Sequence, residues 1–249
     1  MTVHRLHLGL DKYPQGNALS KCVIDARLYA KMFGSPTGSL MLNSACTRVN
    51  ILKVARETVK KPVPGDWLVL SYSGHGTQVR DRNKDESDGW DEALVSIDLK
   101  SIIDDLVGEI MSLLNPQAKG ILFSDSCFSG TIQRAAPLLG KSQIRKIREH
   151  SIRYIPPSMV KAAGKVVDKG PQDPIPQWVV ISGCTDFEFS YEGPTSGVMT
   201  AGVRKVAKKG MTVESLYTKM SKEVAKMDYP QHPQLSATKA AMKWVVPFV

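Results

Sequence analysis

The sequence predicts an α/β fold on a mostly parallel sheet with helices on both faces. Three short runs, Asp66–Ser73 (DWLVLSYS), Gly120–Ser126 (GILFSDS) and Gln177–Gly183 (QWVVISG), are rich in apolar and β-forming residues and read as strands buried on both sides. Between them, Ile102, Ile103, Leu106, Val107, Ile110, Leu113 and Leu114 recur at helical spacing. Strands that alternate with helices imply parallel pairing.

The remaining elements follow in chain order. Val3–Leu10 reads as a first strand; His4, Arg5 and His7 break its apolar run and make it a poor signal peptide. From Asn17 to Phe33, Leu19, Cys22, Val23, Ala26 and Ala30 fall at helical spacing, with Gly34 as the stop. Ser39–Leu42 is a short second strand. Thr47 is placed to cap a helix running to Lys60, which Pro62 and Pro64 end. The stretch from Ala136 to Gln177 is basic, holds six prolines and loses periodicity, as functional or mobile connections do. The expected organisation is one domain over 1–249. It divides into 1–135, a basic flexible connection over 136–176, and 177–249.

Composition narrows the function classes. With 249 residues, 42% of them apolar and 23% charged, the chain has the balance of a globular protein with a sizeable core. It has no apolar run long enough to span a bilayer, so no membrane partner is expected. Four irregularly spaced cysteines form neither a disulfide framework nor a zinc pattern, which fits a reducing compartment and a cytoplasmic location. The net charge is +9, and six of the nine surplus charges lie between Lys141 and Lys169, whereas Asp81–Glu92 is acidic. A basic excess confined to one connection argues against a nucleic-acid face.

Two of the three strong strands end in reactive residues. Trp67–Ser73 delivers Gly74-His75-Gly76, and Ile121–Ser126 delivers Cys127. Sites in open parallel sheets form at the carboxyl ends of strands, which brings these two ends together. A thiol becomes a competent nucleophile when a neighbouring base takes its proton, and histidine is the usual partner. The backbone N–H groups of Gly76 and Cys127 are candidates for holding a tetrahedral oxyanion. The bland alternatives are a buried structural cysteine and a turn histidine.

The runs YSGHGTQVRDRNKDESDGWDEALVSID and DSCFSG, with LHLGLDKYP, LSKCVIDARLYAKMFG, ISGCTDFEFSYE, GVMTAGV and MTVESLY, resemble the metacaspases, caspase-like cysteine peptidases, over nearly the whole chain. Cys127 follows His75 by 52 residues, close to the caspase spacing. The resemblance implies a caspase-like sheet, Cys127 as nucleophile, His75 as base, and a first specificity pocket lined by Cys22, Asp25, Ser73 and Asp125. Asp125 and Cys127 are two apart, so on a strand they share a face. Carboxylates at 25 and 125 would pair with a guanidinium or ammonium, giving cleavage after Arg or Lys. Taken without the family, Asp25 reads as a helix-surface carboxylate and Cys22 as a small core residue.

The resemblance also implies a calcium site at Asp91, Asp104 and Asp105. Its fourth position here is Arg134, whose charge opposes a divalent cation, so a weak or absent site stands as the alternative. Asp81, Asn83, Asp85 and Glu92 mimic EF-hand positions, but Glu86 replaces the required glycine. Phe128 stands where most of the family has histidine. Cys46 and Cys184 read as structural, and His4, His7, His150 and His232 lack ligand partners. The expected function is a cysteine endopeptidase acting on proteins or peptides after Arg or Lys, as a monomer. Calcium stimulation is open, and self-cleavage is expected at Lys141, Arg145, Lys146 or Arg148. An inactive caspase-like scaffold that binds protein partners is the alternative.

Overall fold

The structure is a computed structural model and describes residues 1–35, 39–80, 89–127, 151–162, 175–185 and 188–249. Its centre is a six-stranded sheet in the order β2-β1-β3-β7-β8-β9. The strands are β1 (Val3–Gly9), β2 (Leu40–Leu42), β3 (Trp67–Ser73), β7 (Lys119–Asp125), β8 (Trp178–Ser182) and β9 (Gln234–Ser236). All neighbours pair in parallel except β8 with β9. The predicted central strands therefore stand, and the inner pair β3 and β7 is buried on both faces as their near-continuous apolar runs require.

Helices α1 (Cys22–Met32), α4 (Val198–Val206) and α5 (Val213–Ala225) cover one face, over Val69, Ile121, Phe123, Val179 and Ile181. Helices α2 (Arg48–Val59) and α3 (Asp104–Ser112) cover the other, over Leu6, Leu8, Leu68 and Trp178. Thr47 caps α2 as predicted, accepting from the Asn50 N–H. The long helical pattern from Ile102 is shorter than its periodicity suggests. Ser101–Ile103 is strand β6, which joins β4 (Gly76–Arg80) and β5 (Trp90–Val95) in a small antiparallel sheet.

Helix α1 starts at Cys22 rather than Asn17 because its first amides are held from outside the helix. Asp11 accepts from the N–H groups of Cys22 and Val23, and Glu192 accepts from those of Ser20 and Lys21. These remote carboxylates do what an N-cap side chain ordinarily does, and they favour the positive end of the helix. The buried stripe of α1 is Cys22, Asp25, Ala26, Tyr29 and Ala30. Asp25 is fully buried, which corrects the surface reading: it sits in register with the apolar residues and has to find partners inside.

The segment 151–162 lies in the stretch expected as a flexible connection, yet it is built into the fold. Ile152 bridges Tyr191 antiparallel, Tyr154 bridges Gly76, and Lys161 bridges Lys100. Lys141, Arg145, Lys146 and Arg148, with Arg134, Phe128, His150 and the Asp81–Glu86 run, lie outside the described residues.

Candidate active site

Across the sheet, Gly9, Ser73 and Asp125 stand in one register row at the carboxyl ends of β1, β3 and β7. Side chains at this row point to the α1 face. Gly9 is required there, because an added Cβ would run into the Cys22 carbonyl and push α1 away. The close approach sets Asp25 over Ser73, whose hydroxyl donates to Asp25 Oδ2 at 2.7 Å. From the other side comes the N-terminus of α4. The Gly197 N–H donates to Asp25 Oδ1 at 2.8 Å, and the Thr200 N–H and hydroxyl donate to Asp125 Oδ2. Ser190 Oγ donates to Asp125 Oδ1 at 2.6 Å. Two carboxylates are thus fixed side by side at a helix N-terminus, where a negative charge is favoured.

The guanidinium of Arg153 fills the space between them and is itself fully buried. Nη2 lies 2.6 Å from Asp25 Oδ2, and Nη1 lies 3.0 Å from Asp125 Oδ1. Nη1 also donates to Ser73 Oγ and to the Asp125 carbonyl, and Glu192 stands 4.0 Å from Nη2. Burial is the largest influence on this group and opposes its charge. The surrounding Asp125, Cys22, Asp25 and Glu192 outweigh it and hold Arg153 protonated well above its ordinary value. Burial likewise pushes the Asp25 carboxyl up, with Arg153 pulling the other way and Asp125 adding to the rise.

The backbone of Arg153 is seated as carefully as its side chain. Its carbonyl accepts from the Gly76 N–H at 2.9 Å and the Cys127 N–H at 3.3 Å, the two amides predicted to hold an oxyanion. Its N–H donates to the Ser190 carbonyl, and the Glu192 N–H donates to the Ser151 carbonyl, so residues 151–153 run as an added antiparallel strand.

Both predicted reactive residues border this carbonyl. His75 is 4% exposed, and its Nε2 lies 2.8 Å from the Asn17 carbonyl, an acceptor, so Nε2 carries the proton. Nδ1 is buried without a partner among the described residues, leaving a free lone pair. Burial lowers the imidazole to about 4, so the ring is neutral near pH 7. Tyr13 and Tyr72 fix the loop: the Tyr13 hydroxyl accepts from the His75 N–H, and the Tyr72 hydroxyl donates to the His75 carbonyl.

Among the described residues no hydrogen bond joins Cys127 to His75. The Cys127 thiol donates instead to the Glu188 carbonyl at 3.1 Å and accepts from the Ser190 N–H at 3.3 Å. Strand β7 ends at Asp125, so the alternation argument does not extend to Cys127. Asp125 and Cys127 nevertheless reach the same neighbour, Ser190, through its hydroxyl and its amide.

Of the predicted pocket residues, Asp25, Ser73 and Asp125 meet the guanidinium directly, while Cys22 is buried beneath, its sulfur 4.0 Å from Glu192. Arg153, Ser190, Glu192 and Gly197 were not singled out from the sequence. A signal for Glu192 was its place in ISGCTDFEFSYE; for Arg153 there was only its membership of the basic run.

The three residues of the implied calcium site lie on two elements, β5 and α3. Asp91 lies with Ala93 and Val95 on the buried side of β5, whereas Asp104 and Asp105 open α3. The one described trio of His, Cys, Asp or Glu whose ligand atoms lie within 4.8 Å of one another is Asp11, Cys22 and Glu192. That trio is engaged in capping α1. Asp91, Asp104 and Asp105 are not such a trio among the described residues.

A family model described as the caspase domain matches residues 6–243. The chain belongs to the caspase domain family. Curated relatives of this caspase domain include Metacaspase-1A of Aspergillus oryzae, 33% identical over 144 residues, covering 51% of this chain and 34% of the relative. Metacaspase-1 of Yarrowia lipolytica is 27% identical over 280 aligned positions, 94% of this chain and 61% of its own. The chain therefore spans less than two thirds of the length of these relatives. Among solved structures, Geobacter sulfurreducens protein GSU0716 superposes with a TM-score of 0.74 at 24% identity, covering 98% of each chain. Caspase-1 of Spodoptera frugiperda gives 0.59 at 11% identity, over 94% of this chain and 86% of its own. Both share the caspase fold, with its mostly parallel central sheet.

Proposed function

We propose that this caspase domain is a cysteine endopeptidase cleaving after Arg or Lys, and that the Arg153–Tyr154 bond is one it cleaves in itself. A single observation carries the reading. Arg153 has its side chain between two carboxylates, its N–H on a strand edge and its carbonyl between two converging amides, the posture a substrate residue before the scissile bond needs. The chemistry follows from the groups around it. Rotation of the Cys127 side chain away from Glu188 turns the thiol toward the free lone pair of His75 Nδ1, which takes the proton. The thiolate attacks the carbonyl carbon, and the negative oxygen is held by the Gly76 and Cys127 amides. Nδ1–H then protonates the departing amine, and water hydrolyses the thioester. Both terminal nitrogens of the guanidinium are used, so arginine peptides should be cleaved faster than lysine peptides.

Intact mass and N-terminal sequencing test this. Wild type is expected to split into chains ending at Arg153 and starting at Tyr154, and Cys127→Ala to stay whole. Arg153→Ala should stay uncut at this bond yet hydrolyse an Arg peptide. Hydrolysis of that peptide no faster by wild type than by Cys127→Ala would overturn the reading. The same assay run with calcium and with a chelator decides whether the ion contributes. The filled cleft and the thiol turned from His75 favour one second reading, an inactive scaffold. Labelling of Cys127 by an Arg-directed electrophile separates the two.

A further inference from the structure

The peptidase reading leaves Cys184 unused. It is 4% exposed, follows the end of β8, and holds its Sγ 4.0 Å from the Cys127 Sγ. One carbonyl, that of Glu188, faces both thiols, at 3.1 Å from Cys127 and 3.5 Å from Cys184. Each cysteine follows by two residues the end of one of two adjacent parallel strands, β7 and β8, whose register runs to Ser124 and Ser182, and the Gly183 N–H donates to the Ser124 carbonyl just past it. The sheet thus brings the two sulfurs to neighbouring places at its carboxyl end. Their separation is about twice a disulfide bond length, a gap that side-chain rotation can close.

We propose that Cys184 is a resolving cysteine, and that hydrogen peroxide converts this pair to a Cys127–Cys184 disulfide. The Cys127 thiolate attacks one peroxide oxygen; an S–O bond forms, the O–O bond breaks, and the departing hydroxide, once protonated, leaves as water. The Cys184 sulfur then attacks the Cys127 sulfur. An S–S bond forms, the S–O bond breaks, and hydroxide leaves with the Cys184 proton as a second water. Two thiols are oxidised and one peroxide is reduced. The neighbouring Cys127 thiol and burial hold the Cys184 thiol well above its ordinary value, so it is a poor first target. Its position compensates in the second step, because the reaction is within one molecule at fixed contact. The disulfide would remove the nucleophile reversibly and keep Cys127 from passing to sulfinic acid.

The loss of activity rests on the peptidase reading; the disulfide itself does not, and mass spectrometry reads it directly. The full chain is treated with hydrogen peroxide, alkylated in denaturant and digested. Wild type is expected to lose both alkylatable thiols, to yield the cross-linked 127–184 peptide pair, and to recover both thiols on reduction. Cys184→Ala is expected to carry irreversibly oxidised Cys127 under the same treatment. Oxidised Cys127 beside a still alkylatable Cys184 in wild type would overturn the proposal, and that measurement needs no variant to fold. Absence of the cross-link in a protein that cleaves Arg peptides removes this proposal alone.

Discussion

Asp125 receives hydrogen bonds on both carboxylate oxygens, from Ser190, Thr200 and the guanidinium of Arg153, and no atom of it reaches solvent. A residue held this way acts on an incoming cation as a fixed charge with no reorganisation left to make. Asp125→Asn keeps the size and part of the hydrogen bonding and removes the charge. Removing one member of a buried charge pair costs about 2–5 kcal/mol, so kcat/KM on an Arg peptide should fall roughly thirty- to several-thousandfold. Cleavage kinetics on purified, folded variant check it, and an unchanged value would detach the pocket from specificity. At this scale the sequence was half legible. Asp25 and Asp125 were readable through their motifs, but Ser190 and Glu192 were not singled out, because part of what each does is done by its backbone N–H and carbonyl, which carry no residue signature, and their side-chain partners are remote in sequence.

Elements place these charges more than any single residue does. The end of β3, the start of α1 and the N-terminus of α4 converge because Gly9 and Gly197 leave room. A Cβ on Gly197 would collide with Asp125 Oδ2 and with both terminal nitrogens of Arg153. Gly197→Ala should therefore leave the two apolar clusters intact and block the pocket. Circular dichroism is expected to stay native while cleavage after Arg falls by more than tenfold; native rates would show that the pocket opens differently for substrate. The inner strands β3, β7 and β8 were legible because burial on both faces writes a continuous apolar run, whereas the three-residue edge strand β9 was not read. The small sheet was not. β4, β5 and β6 are short, and β6 borrows Ile102 and Ile103 from what reads as the first turn of a helix. Short apolar runs do not distinguish strand from helix by period.

Among the described residues two histidines are buried and neutral, His7 and His75. Burial, with Arg5 nearby, lowers His7 to about 3, between the hydroxyls of Ser71 and Ser35, and burial lowers His75 to about 4. The unfolded chain binds these protons near pH 6.5, so between those limits it holds more protons than the folded one, and stability falls as pH falls. Asp25, raised by burial, works in the opposite sense, while Asp98, lowered to about 2, adds to acid loss below its unfolded value. Thermal unfolding should show Tm dropping by roughly 10 °C from pH 7 to pH 4, with a shallower slope in His7→Gln. A flat profile would contradict the burial of His7. Arg153 has one more consequence at this scale. A rival covalently tied to the cleft competes at a local concentration that dilution does not lower, so adding outside peptide to the uncut chain meets the same opposition at nanomolar as at micromolar protein. Cutting the tether changes this, because each freed end must then hold its place by affinity alone.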